Sequence, residues 1–179
     1  MGNNKTVIIT GGGTGIGKGI ALKMASHDFN LVLASRNIDN LNAVKNECLN
    51  LSNHNILTVQ TDITDEKSVA KLFQATKNEF GSLDILINNA GVFDGAPIDK
   101  ISIETWDKVL NINLRGAFLC LRESMKMMIP HKSGKIINIG SISGQVPRMF
   151  STPYTTSKFA LIGLTKAAAL EAREHNISV

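Results

Sequence analysis

Short, nearly unbroken apolar runs alternate along this chain with stretches whose apolar residues recur every three or four positions. The runs at residues 6–10, 30–34, 56–60, 83–87 and 135–139 are rich in Val, Ile and Leu, as strands buried on both faces of a parallel sheet require. Between them the rhythm changes. Leu41, Val44, Cys48 and Leu51 keep the spacing of one helix face, as do Val69, Leu72, Phe73, Thr76 and Phe80. Two longer helices are predicted at 102–129, stopped by Pro130, and at 154–175. Strand alternating with helix predicts an α/β fold, a doubly wound parallel sheet with right-handed crossovers. No repeat, low-complexity tract or linker interrupts residues 1–179, so a single domain is expected, and Ile177-Ser178-Val179 reads as the opening of a sixth strand.

The first strand runs into Gly11-Gly12-Gly13-Thr14-Gly15-Ile16-Gly17 and then an amphipathic segment. Strand, glycine loop and helix start make an anion site, because backbone N–H groups and the helix dipole both favour a phosphate. The glycines permit the tight bend and a close approach of ligand to backbone. The common dinucleotide spacing G-x-G-x-x-G fails, since Ile16 or Lys18 falls where its last glycine belongs. A phosphate-binding P-loop nearly fits from Gly12 to Gly17-Lys18, but Gly19 stands where a Ser or Thr must hold magnesium. Near the other end lies Tyr154-Thr155-Thr156-Ser157-Lys158. Residues four apart share a helix face, and an ammonium beside a phenol favours the phenolate, the setting of a general acid. Taken alone, such a pair also fits two neighbours on a solvated face.

Together these ends resemble the short-chain dehydrogenase/reductase family, whose patterns are T-G-x-x-x-G-x-G and Y-x-x-x-K: here Thr10-Gly11, Gly15 and Gly17, then Tyr154 and Lys158. Three more signatures follow in order: Asn88-Asn89-Ala90-Gly91, Asn113 within Asn111-Ile112-Asn113-Leu114-Arg115-Gly116, and Ser141 within Ile139-Gly140-Ser141-Ile142-Ser143-Gly144. The similarity runs from the first strand to the last residue. It implies a Rossmann-type sheet whose strand ends carry every signature into one crevice.

The resemblance implies hydride transfer between a nicotinamide cofactor and a carbonyl or secondary alcohol. Tyr154 would exchange the proton with the substrate oxygen, and Ser141 would hydrogen-bond that oxygen. Lys158 would hold the nicotinamide ribose and act on Tyr154. Asn113 would interrupt its helix and extend the proton relay. Ser143 and Asn111 are the rivals of Ser141 and Asn113, and the family's spacing favours the latter pair. The cofactor-binding set is then Gly11, Thr14, Gly15, Ile16, Gly17, Ser35, Arg36, Asp62, Ile63, Asn89, Ala90 and Gly91, together with Tyr154 and Lys158. After the second strand, Ala34-Ser35-Arg36-Asn37 lacks the carboxylate that NAD sites use on the ribose diol, whereas Arg36 suits a 2′-phosphate, so NADP(H) is expected. The alternative is an exposed arginine without a ligand. Asp62 resembles the family's adenine contact or, alternatively, a carboxylate capping the next helix.

Composition narrows the classes. Nineteen Lys and Arg against 15 Asp and Glu leave a net charge of +4 in 179 residues, scattered rather than clustered, so neither a nucleic-acid nor a membrane partner is expected. No apolar stretch suits a membrane span or signal peptide, which predicts a cytoplasmic protein. Met1-Gly2-Asn3-Asn4-Lys5-Thr6 matches a loose acylation pattern, but Thr6 reads as part of the first strand. Cys48 and Cys120 fall in apolar helical patterns and read as core. His27, His54, His131 and His175 share no metal-ligand spacing, and no metal is expected. Met125, Met127, Met128 and Trp106 read as packing.

Members of the family usually continue past the equivalent of Val179, through a Pro-Gly segment, a mobile substrate loop and a final strand. The chain is therefore expected to be C-terminally truncated. Two functions follow: an NADP(H)-dependent reductase or dehydrogenase akin to 3-oxoacyl-carrier-protein reductases, or a non-catalytic nucleotide-binding or interaction module. A homodimer or homotetramer is implied by resemblance alone.

Overall fold

The computed structural model describes residues 5–27, 29–51 and 55–179. The first four residues of the acylation pattern and His54 lie outside them. Six strands, β1 (Lys5–Thr10), β2 (Phe29–Ser35), β3 (Ile56–Gln60), β4 (Ile85–Asn88), β5 (Gly134–Asn138) and β6 (Ile177–Ser178), form one sheet in the order β3-β2-β1-β4-β5-β6. Every pairing is parallel. The helices are α1 (Gly15–Ala25), α2 (Ile38–Leu49), α3 (Glu66–Phe80), α4 (Ile103–Leu110), α5 (Ala117–Met128) and α6 (Thr152–Ala172). This is the doubly wound, Rossmann-type architecture that the alternation predicts. The strand order reverses between β1 and β4, the place where open parallel sheets bind ligands.

Strand side chains alternate between two cores. Val7, Ile9, Leu31 and Leu33 pack under α1 and α2 with Ala21, Leu41 and Val44. Ile8, Val32 and Ala34 face the opposite way, toward Val69 and Leu72 of α3, Leu119 and Cys120 of α5, and Ala168 of α6. The central strands therefore carry unbroken apolar runs, residues 7–9 in β1 and 31–34 in β2, because both faces are covered. Cys48 and Cys120 are fully buried, and burial pushes the Cys120 thiol up to about 12, which keeps it protonated. Met128 is fully buried, while Met125 and Met127 pack against the same core. No helix among the described residues is long and apolar enough to cross a membrane.

The structure departs from the periodicity in three places. Leu51 belongs to no stripe: α2 stops at Leu49 and Leu51 is 52% exposed. The long helix at 102–129 is interrupted by a π-helical turn, Asn111–Gly116, between α4 and α5, and Pro130 sits within a 3-10 turn, Ile129–His131, that follows α5. The last long helix begins earlier than the apolar pattern, at Thr152, with Pro153 in its first turn, where a proline's missing N–H costs no hydrogen bond.

Candidate active site

The glycine loop is held open by its own backbone. Gly11 and Gly15 have φ of 67° and 53°, a left-handed region that side chains disfavour. A Cβ on Gly17 would collide with the Gly11 carbonyl oxygen, so α1 can lie on the loop only with glycine there. Asn37, Asp65 and Ser102 cap α2, α3 and α4 with their own side chains, whereas Thr14 makes no such bond at the start of α1. The first turn of α1 also carries no acidic residue. Its opening N–H groups thus have no capping side chain and no carboxylate in the first turn to oppose their dipole, a fit for the phosphates of a dinucleotide.

Thr10 and Asn89 join this loop to the end of β4. The Thr10 hydroxyl accepts the N–H groups of Asn89 and Ala90, both at 3.1 Å, and the Asn89 carboxamide donates to the carbonyls of Thr10 at 2.9 Å and Gly11 at 3.3 Å. Above the join lies a cavity of about 190 Å³ bordered by Gly11, Thr14, Ser35, Arg36, Asp62, Ile63, Ala90 and Gly91, with Thr61, Val92 and Ile112. Eight of the residues expected to bind cofactor therefore converge on one space. Asn89 supports it from below, Gly15 and Ile16 are exposed on the first turn of α1, and Gly17 is buried against Gly11. Larger recesses exist, such as one of about 390 Å³ between α3 and α5 bordered by Lys77, Glu123 and Lys126, but none of the motif residues reaches that one.

Two alternatives left open by the sequence separate here. The carboxylate capping α3 is Asp65, which accepts the N–H groups of Lys67 and Ser68. Asp62 instead accepts the Thr64 N–H at 2.9 Å and its hydroxyl at 2.7 Å. The backbone bond from Thr64, with its hydroxyl and the charge of Arg36, holds Asp62 below the usual carboxylate range. Arg36 is exposed at the mouth of the cavity and borders a second hollow with Ser35, Asn37 and Asn40.

The cavity wall leads directly to the expected catalytic residues. Asn113, in the π-helical turn and 2% exposed, grips Val92: its carboxamide accepts the Val92 N–H at 2.8 Å and donates to the Val92 carbonyl at 2.9 Å. It also donates to the Ser157 hydroxyl at 3.1 Å, which in turn donates to the Tyr154 carbonyl at 2.6 Å. Phe93, next to Val92, packs its ring against that of Tyr154 in a T-shaped contact with centroids 5.2 Å apart. Tyr154 and Lys158 occupy the first two turns of α6, with the Lys158 ammonium 5.8 Å from the Tyr154 ring centre. Lys158 is 7% exposed, donates to the Ile139 carbonyl at 2.8 Å, and is lowered from the usual lysine value by burial. Ser141 follows β5, starts a 3-10 turn, and accepts the Ser143 N–H at 3.1 Å. Ser141 is half-buried whereas Ser143 is 3% exposed. Ser157 and Phe93 escape a reading by motif. Ser157 is visible only as the residue before Lys158, and nothing in the spacing marks Phe93.

Residues 5–179 match the family model for short chain dehydrogenase. The chain belongs to the short-chain dehydrogenase family of oxidoreductases. Among its relatives, a D-beta-hydroxybutyrate dehydrogenase of Rhizobium meliloti (strain 1021) is 35% identical over 176 residues, covering 98% of this chain and 68% of the relative. An uncharacterized oxidoreductase of Staphylococcus aureus (strain MW2) is 32% identical, covering 98% of this chain and 75% of its own length. The crystal structure of NAD+-bound xylitol dehydrogenase superposes with a TM-score of 0.95 at 31% identity, covering all (100%) of this chain and 69% of that one. That of levodione reductase gives 0.94 at 33% identity, covering 97% and 68%.

Proposed function

We propose that the chain carries an NADP(H)-dependent carbonyl reductase or alcohol dehydrogenase site, with cofactor and catalytic residues in one domain and Tyr154 as the proton-exchanging group. The observation that carries this reading is the continuity of the cavity wall. The segment that closes the cavity at Ala90, Gly91 and Val92 continues into Phe93, whose ring touches Tyr154. The bound nicotinamide supplies hydride chemistry. The protein's part is position and charge. Gly11 and the first turn of α1 hold the pyrophosphate, Asp62 and Ile63 border the adenine, and Arg36 with Ser35 pairs a 2′-phosphate by charge-assisted hydrogen bonds. The Ser141 hydroxyl holds the substrate oxygen, and Tyr154 donates its proton there in reduction or accepts it in oxidation. Lys158 supplies positive charge beside the phenol and holds the ribose.

The NAD+ bound to the related xylitol dehydrogenase supports a nicotinamide cofactor, while the choice of NADP(H) rests on Arg36. Exposed Ile103, Phe118, Phe159 and Leu170 on α4, α5 and α6 support a homo-oligomer. Tyr154→Phe tests the reading. Loss of the hydroxyl removes proton transfer, worth about 10²–10⁴ in rate, and keeps the ring beside Phe93. NADPH oxidation with a ketone panel should fall by at least about 100-fold while NADPH still raises the melting temperature. Turnover equal to wild type would sink the assignment, and a wild-type chain stabilised by NADPH without turnover would favour the non-catalytic module.

A further inference from the structure

The wall beside Tyr154 is apolar and built to stay in place. The Phe93 ring meets that of Tyr154 in a T-shaped contact, and the residue is 66% exposed, so much of its apolar surface is available to a molecule seated against the phenol. Two flanking loops hold it. A Cβ on Gly95 would collide with the Phe150 carbonyl oxygen, so glycine lets the segment after β4 rest on the loop before α6. Phe150 itself has φ of 58°, a left-handed conformation that is strained for a bulky residue. Neighbouring bonds keep it there: buried Ser151 donates to the Arg148 carbonyl at 2.7 Å and meets the Thr155 hydroxyl at 2.9 Å. On the other side Asp94 accepts the Gly95 N–H at 3.0 Å and pairs with Lys108 at 3.0 Å. The loops also expose Ile142, Val146, Met149 and Phe150.

Resting on the oxidoreductase reading above, we infer that Phe93 is a substrate-selecting residue, and that the site takes a neutral carbonyl compound bearing an apolar ring in preference to a short carboxylated one. A ring stacked on Phe93 sheds apolar surface from water. A carboxylate in the same place loses hydration without a partner. Lys108 is already paired with Asp94, and Lys100 and Arg148 are the loop cations able to reverse this preference.

The test compares 1-tetralone with acetoacetate as substrates of the NADPH-loaded chain, in wild type and Phe93→Ala. Loss of most of a phenyl contact, about 1.5 kcal/mol, corresponds to roughly tenfold. Wild type should favour 1-tetralone in kcat/KM by about tenfold or more. Phe93→Ala should cut that ratio about tenfold, mainly through KM, and Phe93→Leu should restore part of it. Thermal stabilisation by NADPH verifies that each variant is folded. Preference for acetoacetate, or a ratio unmoved by Phe93→Ala, overturns the inference and leaves the oxidoreductase reading standing. If neither ketone turns over, that reading falls instead, and saturation-transfer NMR on the NADP+-loaded chain decides this one. Transfer to 1-tetralone that weakens in Phe93→Ala upholds it, and no transfer in wild type ends it.

Discussion

Asn113 and Val92, 21 residues apart, exchange two side-chain-to-backbone hydrogen bonds at 2.8 and 2.9 Å, so that one carboxamide completes the backbone of the cavity wall as a neighbouring strand would. The π-helical turn makes this possible. An extra residue in one turn displaces Asn113 from the regular helix rows, as such bulges often do at functional sites. Leucine at this position would fill similar volume and orphan both Val92 groups, each at a cost of about 1–3 kcal/mol. Asn113→Leu should lower the melting temperature by roughly 5–10 °C, seen by circular dichroism. It should also weaken NADPH stabilisation, because Val92 borders the cavity. An unchanged melting temperature would show that Val92 finds other partners.

Lys158 ties the chemistry to an alkaline signature. Burial lowers its native pKa below the usual 10.5, so below the native value folding must desolvate an ammonium that is charged in both states. Between the native value and 10.5 the unfolded chain binds more protons, and stability rises with pH. The stability of wild type minus that of Lys158→Met should therefore increase from pH 7 to pH 10.5 in denaturant titrations, while turnover is lost at every pH. A difference that shrinks over this window contradicts the burial.

In the proposed reading, Arg36 carries the choice of cofactor. A charge-assisted bond to the 2′-phosphate is worth about 1.5–3 kcal/mol, so Arg36→Asp should weaken NADPH at least about tenfold and shift preference toward NADH. Isothermal titration of both nucleotides checks this. Equal affinity of the wild-type chain for NADH and NADPH would remove the case for NADP(H).

Two glycines of α1 make a matched pair. Gly17 abuts the Gly11 carbonyl, whereas a Cβ on Gly19 meets nothing within 4 Å. Gly17→Ala must push helix and loop apart and should abolish NADPH-induced stabilisation. Gly19→Ala should raise stability by about 1 kcal/mol through helix propensity alone. Parallel thermal melts with and without NADPH distinguish the two, and equal behaviour would mean the loop tolerates a side chain.

The strands were legible because both their faces are buried, which leaves a continuous apolar signal in Val7, Ile8 and Ile9 or Leu31, Val32 and Leu33. The glycine loop was legible because its glycines answer a local backbone need. Leu51 misled because an apolar residue in register carries no mark of where α2 stops. Periodicity runs straight through residues 102–129 and does not reveal the π-helical turn; only the family resemblance at Asn113 pointed to a break. The contact of Gly95 with Phe150 spans more than fifty residues of chain. It depends on how two loops meet across the fold, so no local pattern could announce it, and Phe93 stayed hidden with it.

The bare start of α1 has a bearing on the protein's lifetime. A helix whose opening turn has no side-chain cap unravels more readily from that end, and α1 covers the half of the core beneath Val7, Ile9, Leu31 and Leu33. An anion lodged there does the work of a cap, so occupancy strengthens the native state by mass action. Survival against proteolysis should then follow the supply of that ligand, coupling how much protein persists to how much cofactor surrounds it.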